Sequence, residues 1–563
     1  MPELSEIVSQ FTSLGIDLDD EAAATCLDLC LRYSLDEESF VNSWIAFSFS
    51  SLGGADPSKE NLEAFEKKEL ANIKTPKRSS TASHLQVYST GSAKQISVHS
   101  ADSFTPPRPG TSGISHTSSK KLNFSPLVFT PEVYTPSEKF NGRKNSGQTV
   151  STLGKSFYEW KSTAYDVNIS MYNPTDTSGW KFFYDTVMVT SNHLEERFEF
   201  LADEIVAANN LEKPTPFKHC GLDVMTFRGR ICPYDKAKKS KQLNSIEIQG
   251  MFESDYAVME LDVSEVDNFA IFPGQVIVFE GVLVGKNIRA KKLYSSAVQK
   301  VAPPPTIQKP VQILVAAGPF ALSDTLSYEP LNELIDLVKK DQPNILVLVG
   351  PLVDATHPKI AQGQIAETFS DYYSRMVQRI GDALDGLKIK VVVIASSKDA
   401  NNLPVFPTPP AVDHSYKNVK FFPDPSLLFI EGLVLGVTSV DALFHLGKHE
   451  LSNCQTNRLA RLAAHMVGQR SFYPLYPPEP EVCMDVVAWA RQAQLSVTPH
   501  IMILPSDLHG FIKEVDSGCI SLNPGKLTKG LVGGTYALIE VRPVHSDEEW
   551  KVSSHVSSKI VRI

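Results

Sequence analysis

Four short turns in the C-terminal half of this 563-residue chain gather the residue types that metal-dependent hydrolysis uses. Each closes an apolar run: Ala316-Ala317-Gly318-Pro319, Gly350-Pro351-Leu352-Val353-Asp354, Ser396-Ser397-Lys398-Asp399 and Ser506-Asp507-Leu508-His509. Carboxylates and imidazoles at such strand ends can hold two divalent cations, bridge a hydroxide between them and clamp a phosphate ester. Here the pattern breaks where that chemistry is most demanding. The first turn offers no ligand, the second has Pro351 and apolar residues ahead of its one carboxylate, and the third carries the Lys398 ammonium, which would repel a cation. Asp354, Asp507 and His509 are left, with Asp399 beside Lys398, and without a bridging group they do not assemble two-metal hydrolysis. They read as relics used for hydrogen bonding; a weak single-metal site is the alternative. No catalytic residue, bound metal or cofactor is expected. Gly525-Lys526-Leu527-Thr528 lacks the GxxxxGK[ST] spacing of a phosphate-cradling loop.

The turns need a frame to position them. After a stiff joint at Pro303, Pro304, Pro305 and Pro310, buried strands are predicted at 312–317, 345–349, 390–395, 427–437, 500–504 and 536–541. Helices are predicted between them at 329–340, 366–384, 455–469 and 485–493. With its turns read in order, this half is similar to a metallophosphoesterase α/β sandwich, whose ligands come from a first Asp and His, a GDxxD turn, a GNHD turn and a closing GHxH. Asn523-Pro524-Gly525 resembles the strand-turn that follows GHxH in such enzymes.

Residues 222–297 read as five strands, at 224–231, 245–251, 256–263, 275–284 and 287–293, with a short helical piece near 265–269. That order predicts an OB-fold β-barrel. Barrels of this kind can stack single-stranded bases on aromatic side chains. Here the second and third strands offer Met251, Phe252, Tyr256 and Met259 beside Glu247, Glu253, Asp255 and Glu260, a poor surface for phosphates. Protein docking is the favoured reading, and Lys236, Lys238, Lys239 and Lys241 are the residues that could touch a nucleic-acid backbone. Upstream, aromatic residues return from Phe157, and Leu194, Phe198, Leu201, Ile205 and Val206 mark a helix.

The charge of −10 is unevenly spread. Residues 1–74 hold 15 acidic and 5 basic side chains, whereas residues 75–150 hold 3 acidic and 9 basic, so an acidic head precedes a basic neck. The head reads as a small helical bundle, with Asp17, Ser34 and Ser58 as N-caps and Glu37 completing a capping box with Ser34. Cys26 and Cys30, one turn apart, are expected to be buried. The seven cysteines contain no CxxC pair and support neither a disulfide framework nor a zinc module. From 75 to 150 the composition turns to Ser, Thr, Pro, Gly and Lys, which predicts a disordered tether. Thr75, Thr105, Ser125, Thr130 and Thr135 each precede proline and are candidate phosphorylation sites, able to reverse the sign of the neck. The apolar patch 124–134 is either a docking motif or a local cluster. No segment has the length and apolarity of a membrane span or the pattern of a signal peptide.

The expected fold class is therefore multidomain: an N-terminal α-helical bundle (1–74), a disordered linker (75–150), an OB-fold β-barrel with an N-terminal extension (151–300), and an inactive metallophosphoesterase-like α/β sandwich (311–563). That order, with Gly318-Pro319-Phe320 through Asp324, Gly350-Pro351 through His357, Leu435 through Leu446, Gln469-Arg470-Ser471-Phe472-Tyr473-Pro474-Leu475-Tyr476-Pro477-Pro478, Asn523 through Gly530 and the final Val561-Arg562-Ile563, resembles the B-subunit family of DNA polymerase α. The resemblance implies a nuclear, non-catalytic accessory subunit of the polymerase α-primase complex. By it, barrel and sandwich would hold the zinc-binding C-terminal tail of the catalytic subunit, and primase would be met through the complex. The head would reach replication-fork proteins under phosphorylation control. Contact with DNA would be at most indirect, with none to membranes. The competing readings are a residual metal-dependent phosphodiesterase and a single-stranded DNA-binding barrel.

Overall fold

The strands at 313–317, 345–349 and 433–437 are apolar along their length because both faces of each are covered, the pattern of sheets enclosed between layers. The computed structural model describes residues 136–563, apart from 155–164, 175–178, 218–222, 235–245, 253–254, 298–300, 412–415, 417, 516–517 and 544–549, together with scattered positions between 4 and 70. The five Ser/Thr-Pro candidates, the 124–134 patch, the 236–241 lysines and the caps expected at Asp17 and Ser34 lie outside the described residues. No described helix is long and apolar enough to cross a membrane. The chain divides into two compact units, residues 1–133 and 134–563.

In the first unit, helices Asp20–Tyr33 and Lys59–Lys68 share one core. Asp19 caps the first by accepting from the Ala22 amide at 2.6 Å, and Ser58 caps the second by accepting from Asn61 at 3.4 Å. Cys26 and Cys30 are buried among Leu29, Phe40, Trp44 and Phe65. Burial pushes the Cys26 thiol up to about 12, so it carries no thiolate at neutral pH and packs as an apolar side chain.

The second unit stacks two sheets face to face. One runs β1 (Thr149–Leu153), β22 (Val556–Arg562), β21 (Thr535–Val541), β9 (Val311–Ala317), β10 (Ile345–Val349), β11 (Lys390–Ile394), β12 (Val419–Phe422). The other runs β17 (Phe511–Glu514), β18 (Ile520–Asn523), β16 (Ile501–Ile503), β14 (Leu433–Val437), β13 (Ser426–Ile430), β2 (Ile169–Met171). A short hairpin, β19 (Thr528–Lys529) with β20 (Val532–Gly533), leads from β18 toward β21. Side chains alternate across each strand. Ile313, Val315, Val347 and Val349 meet Leu435, Val437, Ile501 and Ile503 between the sheets. Leu314, Leu346 and Leu348 face helices Glu329–Asp341 and Phe369–Ala383, while Val434, Met502 and Leu504 face helices Ala442–His449, Arg458–Gly468 and Val486–Gln492. Each such side chain contributes roughly 1.5–3 kcal/mol by leaving water, so this central layer dominates the stability of the unit.

A closed barrel precedes the sheets in sequence, in the order β3 (Met225–Ile231), β4 (Ile246–Phe252), β5 (Asp255–Asp262), β8 (Asn287–Tyr294), β7 (Val276–Val284). Phe227, Ile248, Leu261 and Phe279 fill it. The helix Val187–Asn209, capped by Thr186 and ended by left-handed Asn210, lays Phe198, Leu201, Ala202 and Ile205 against Val276 and Val278.

Three expectations are corrected. Residues 265–269 form turns rather than a helix, and Val266 and Phe269 fold inward to close the barrel core. The single strand expected over 427–437 is the hairpin β13–β14, turned by Glu431 and Gly432 at φ 50 and 90. The tether expected to run to 150 gives way to packed structure well before that boundary. Ser137 caps a short helix, donates its amide to Glu329 at 2.9 Å, and precedes the buried ring of Phe140; Arg143 reaches the Ile563 carbonyl at 2.8 Å. β1 then pairs with β22, and β2 with β13, so the first part of the stretch assigned to the barrel's extension supplies edge strands to both sheets, while its Val187–Asn209 helix packs on the barrel. Composition could not show this, because an edge strand half open to water tolerates polar residues.

The barrel is fastened to the sheets. β6 (Ala270–Ile271) pairs with β15 (Leu451–Ser452), and the buried Gln469 side chain accepts from the Val276 amide at 2.9 Å while donating to the Val276 and Ser295 carbonyls at 2.9 and 2.7 Å. Arg470 pairs with Glu204 at 3.0 Å. A Cβ on Gly274 would stand 2.5 Å from the Tyr476 nitrogen, so only glycine fits this contact. Just before β15, Glu450 is buried between Arg461, at 2.7 and 2.8 Å, and His465 at 2.9 Å. Burial alone would raise the Glu450 carboxyl, but hydrogen bonds from Arg461 and His465 hold it down at about 2. Its folded value lies below its unfolded one of about 4.3. Its contribution is therefore fully present above about pH 4.3 and is lost as pH falls toward 2. Glu450→Gln should cost about 3 kcal/mol at pH 7, and the gap in apparent melting temperature between variant and wild type should close below pH 4.

Candidate functional site

Because β9, β10 and β11 are parallel and in register, with Ala317, Val349 and Ile394 level, the turns that follow them leave the sheet side by side. The carboxyl ends of such strands are where α/β sheets place ligands. Here the turns close on one another instead. A Cβ at Gly318 would stand 2.1 Å from the Pro351 carbonyl oxygen, and one at Gly350 would stand 2.7 Å from Ser396 Cβ and 2.8 Å from Asp399 Oδ2. Pro351, Leu352, Val353, Phe320 and Leu322 are buried. The Thr528 hydroxyl lies 2.8 Å from the Pro319 carbonyl, and the His357 ring lies 2.8 Å from that of Leu322. Apolar side chains and satisfied carbonyls occupy this end of the sheet.

The polar residues fall into separate groups. Asp354 and Asp399 face each other across an isolated bridge. Asp354 Oδ1 accepts from the Thr356 amide and hydroxyl at 2.9 and 2.8 Å, a local turn contact. Asp399 Oδ1 accepts from the Val353 amide at 2.8 Å, while its buried Oδ2 has no hydrogen-bond partner. Burial pushes the Asp399 carboxyl up to about 7, against the Val353 and Leu352 amides and with help from the Asp354 charge. The buried Tyr373 hydroxyl, also without a partner, lies within electrostatic reach of that carboxyl.

Asp507 and His509 lie on the other sheet. Asn523 folds their turn, accepting from the Ser506 and Gly525 amides at 2.9 Å and donating to the Leu508 and His509 carbonyls at 3.0 and 3.2 Å. The Asp507 amide donates to Asp441 Oδ2 at 2.7 Å, and Asp441 also caps the helix Ala442–His449 through Phe444 at 3.0 Å. Burial and then the Asp507 charge push the Asp441 carboxyl up, and Lys526 opposes them. Burial takes Asp424 up to about 6 against two hydrogen bonds from Ser439, at 2.6 and 2.8 Å, with Lys526 again opposing. Desolvation and then Lys529 and Arg562 hold the His509 imidazole below its ordinary value. The cations around these acids are the chain's own.

Asp354 is thus placed with Asp399, and Asp507 with Asp441. The single-metal set of Asp354, Asp507 and His509 is not brought together, and among the described residues no group of three or more His, Cys, Asp and Glu side chains converges as a cation cage. Lys398 lies 3.9 Å from Glu481, whose carboxyl His445 and then Lys398 hold down at about 2. His445 also meets the Tyr473 hydroxyl at 3.0 Å, and Glu479 pairs with Lys448 at 2.8 Å and with His449. Sequence reading missed this network, Asp441, and the lysines at 526 and 529. The signal was the acidic-proline run Glu479-Pro480-Glu481 lying within chain reach of a histidine- and lysine-bearing helix.

On the barrel, Tyr256 packs against Phe198 with ring centres 5.9 Å apart and meets Glu199 at 3.3 Å, and Met259 is buried. Tyr256 is thereby taken up by the Val187–Asn209 helix, whereas Phe252 stays exposed.

Residues 313–513 match the family of the DNA polymerase alpha/epsilon B subunit, and residues 5–72 match the N-terminal family of the DNA polymerase alpha B subunit. The DNA polymerase alpha B subunit of Rattus norvegicus is 30% identical over 99% of this chain and 99% of its own length. That of Drosophila melanogaster is 30% identical over 99% and 100%, and that of Saccharomyces cerevisiae 26% identical over 56% and 53%.

Gly318→Ala should cost about 1–3 kcal/mol, because the added methyl meets backbone that cannot yield, and a urea titration followed by intrinsic fluorescence reads it. Asp399 has the opposite sign from Glu450. Its folded value lies above its unfolded one of about 3.9, so the native state holds the proton more tightly and loses stability as pH rises from about 4 to about 7. Asp399→Asn should gain stability relative to wild type across that window and run parallel to it above pH 8, in melting temperatures taken at unit pH steps.

Proposed function

The chain belongs to the B-subunit family of DNA polymerase alpha, and from that premise we propose a division of labour among its parts. It is an accessory subunit of the polymerase. Residues 311–563 act as a phosphoesterase-like sandwich without catalysis, the barrel of β3 to β8 acts as an OB fold, and together they hold the zinc-binding C-terminal tail of the catalytic subunit. Primase is reached through that complex, in the nucleus. Residues 1–74 recruit replication-fork proteins, and phosphorylation of the Ser/Thr-Pro sites between 75 and 135 tunes the recruitment.

The observation that carries this reading is the closure at the strand ends. Gly318 against Pro351, and Lys526 and Lys529 beside the acids of the opposite sheet, leave a surface suited to being gripped rather than a cleft suited to turnover. The Gln469 joint supports it as well, since a barrel and sandwich bound through a buried side chain's hydrogen bonds to backbone can present one continuous face to a partner.

Co-expression with a catalytic subunit that carries its zinc-binding tail should give a one-to-one complex stable through size exclusion, and removing the tail should abolish it. Asp507→Ala with His509→Ala should leave that complex intact and hydrolysis of a model phosphodiester at the uncatalysed rate. Failure to form the complex would remove the scaffold reading, and metal-dependent turnover lost in the double variant would replace it with the hydrolase.

A further inference from the structure

Phe183, Tyr184, Val187 and Met188 are 61, 79, 87 and 73% exposed within six residues, while other exposed large apolar side chains among the described residues stand singly along the chain. Scattered apolar residues on a surface need no explanation, but a contiguous run marks a contact site.

The run is held outward by construction. The Phe183 amide donates to Asp485 Oδ2 at 2.6 Å, and Asp485 is itself buried and caps the helix Val486–Gln492 through Ala488 at 2.9 Å. Phe183 sits at φ 58, a left-handed conformation that a phenylalanine keeps only where its surroundings impose it. Thr186 then caps the Val187–Asn209 helix, whose inner face is immobilised. Arg197 donates to the Gln469 carbonyl at 2.7 Å and lies over the Trp489 ring, and Phe198, Leu201 and Ile205 pack on the barrel.

The outer face has a direction. It runs from Val187 and Met188 through Ser191 and Asn192 to Glu195 and Glu196, all exposed. At 1.5 Å per residue the apolar and acidic pairs are about 12 Å apart. Exposed Asp185 adds a carboxylate at the apolar end, where Lys181 is already engaged over the Tyr184 ring.

We propose that this strip is a docking surface for an amphipathic helical segment of another protein. The segment carries an apolar anchor and, about two turns further along the same face, a pair of basic residues. The anchor covers Phe183, Tyr184, Val187 and Met188, and the basic pair meets Glu195 and Glu196. Area comes from the first contact; register and salt dependence come from the second.

The probe is a synthetic helical peptide with Leu, Trp and Leu on one turn and two arginines two turns beyond, titrated into the full chain by fluorescence anisotropy. Saturable binding is expected, weakened about tenfold or more by Phe183→Ser with Tyr184→Ser. Glu195→Gln with Glu196→Gln should reduce affinity and flatten its dependence on salt. Moving the arginines onto the anchor's own turn should weaken binding to wild type to a similar degree. Binding that is indifferent to both double variants, or equal for a peptide with glutamates in place of arginines, overturns the proposal. So does self-association in sedimentation that vanishes with the aromatic substitutions, which assigns the strip to a second copy of this chain. The acid variants, on an exposed helix face, keep the test valid should the aromatic pair disturb the fold.

Discussion

Gly318 and the Pro351 carbonyl approach so closely that no side chain fits between them, and the arrangement of the whole strand-end region depends on that contact. Parallel strands in register deliver three turns to one place. Those turns can diverge around ions or collapse on each other, and the residues present favour collapse. Glycine removes the Cβ, proline removes a donor, and Phe320, Leu352 and Val353 find apolar neighbours where ligands would have converged. Asp399 bears the cost. It is left buried with one oxygen unpaired and is held near its protonated form.

On the facing sheet the same difficulty has another solution. Asp424 and Asp441 are buried carboxylates, and Asp441 also feels the Asp507 charge in a low dielectric. Hydrogen bonds from Ser439 and from the Asp507 and Phe444 amides, with the Lys526 charge nearby, make their burial tolerable. An ammonium tethered to the chain is permanently present, whereas a bound ion depends on its concentration.

Much of this was legible in the residues. Apolar runs marked β9, β10 and β11, and five alternating segments marked the barrel. What escaped shares a physical cause. β1, at the boundary of the expected linker, and β2, in the stretch assigned to the barrel's extension, gave no sign of their sheets, because an edge strand draws its stability from a neighbour distant in sequence. The β13–β14 hairpin read as one strand, since Glu431 is an unusual choice for a left-handed position and gave no turn signal. Lys526 and Asp441, like Glu481 and His445, lie on different elements, and only the topology makes each pair neighbours.

The stretch from Ser137 to Leu153 has a mechanical consequence. Ser137 and Asn141 are tied to Glu329, Arg143 to the last residue, and β1 lies antiparallel along β22. Tension entering from the upstream chain would first strain these ties, where several hydrogen bonds share the pull, before it reached any turn at the strand ends. The segment works as a mooring, and a pull on the amino-terminal region is taken up there before it can deform the turns at the strand ends.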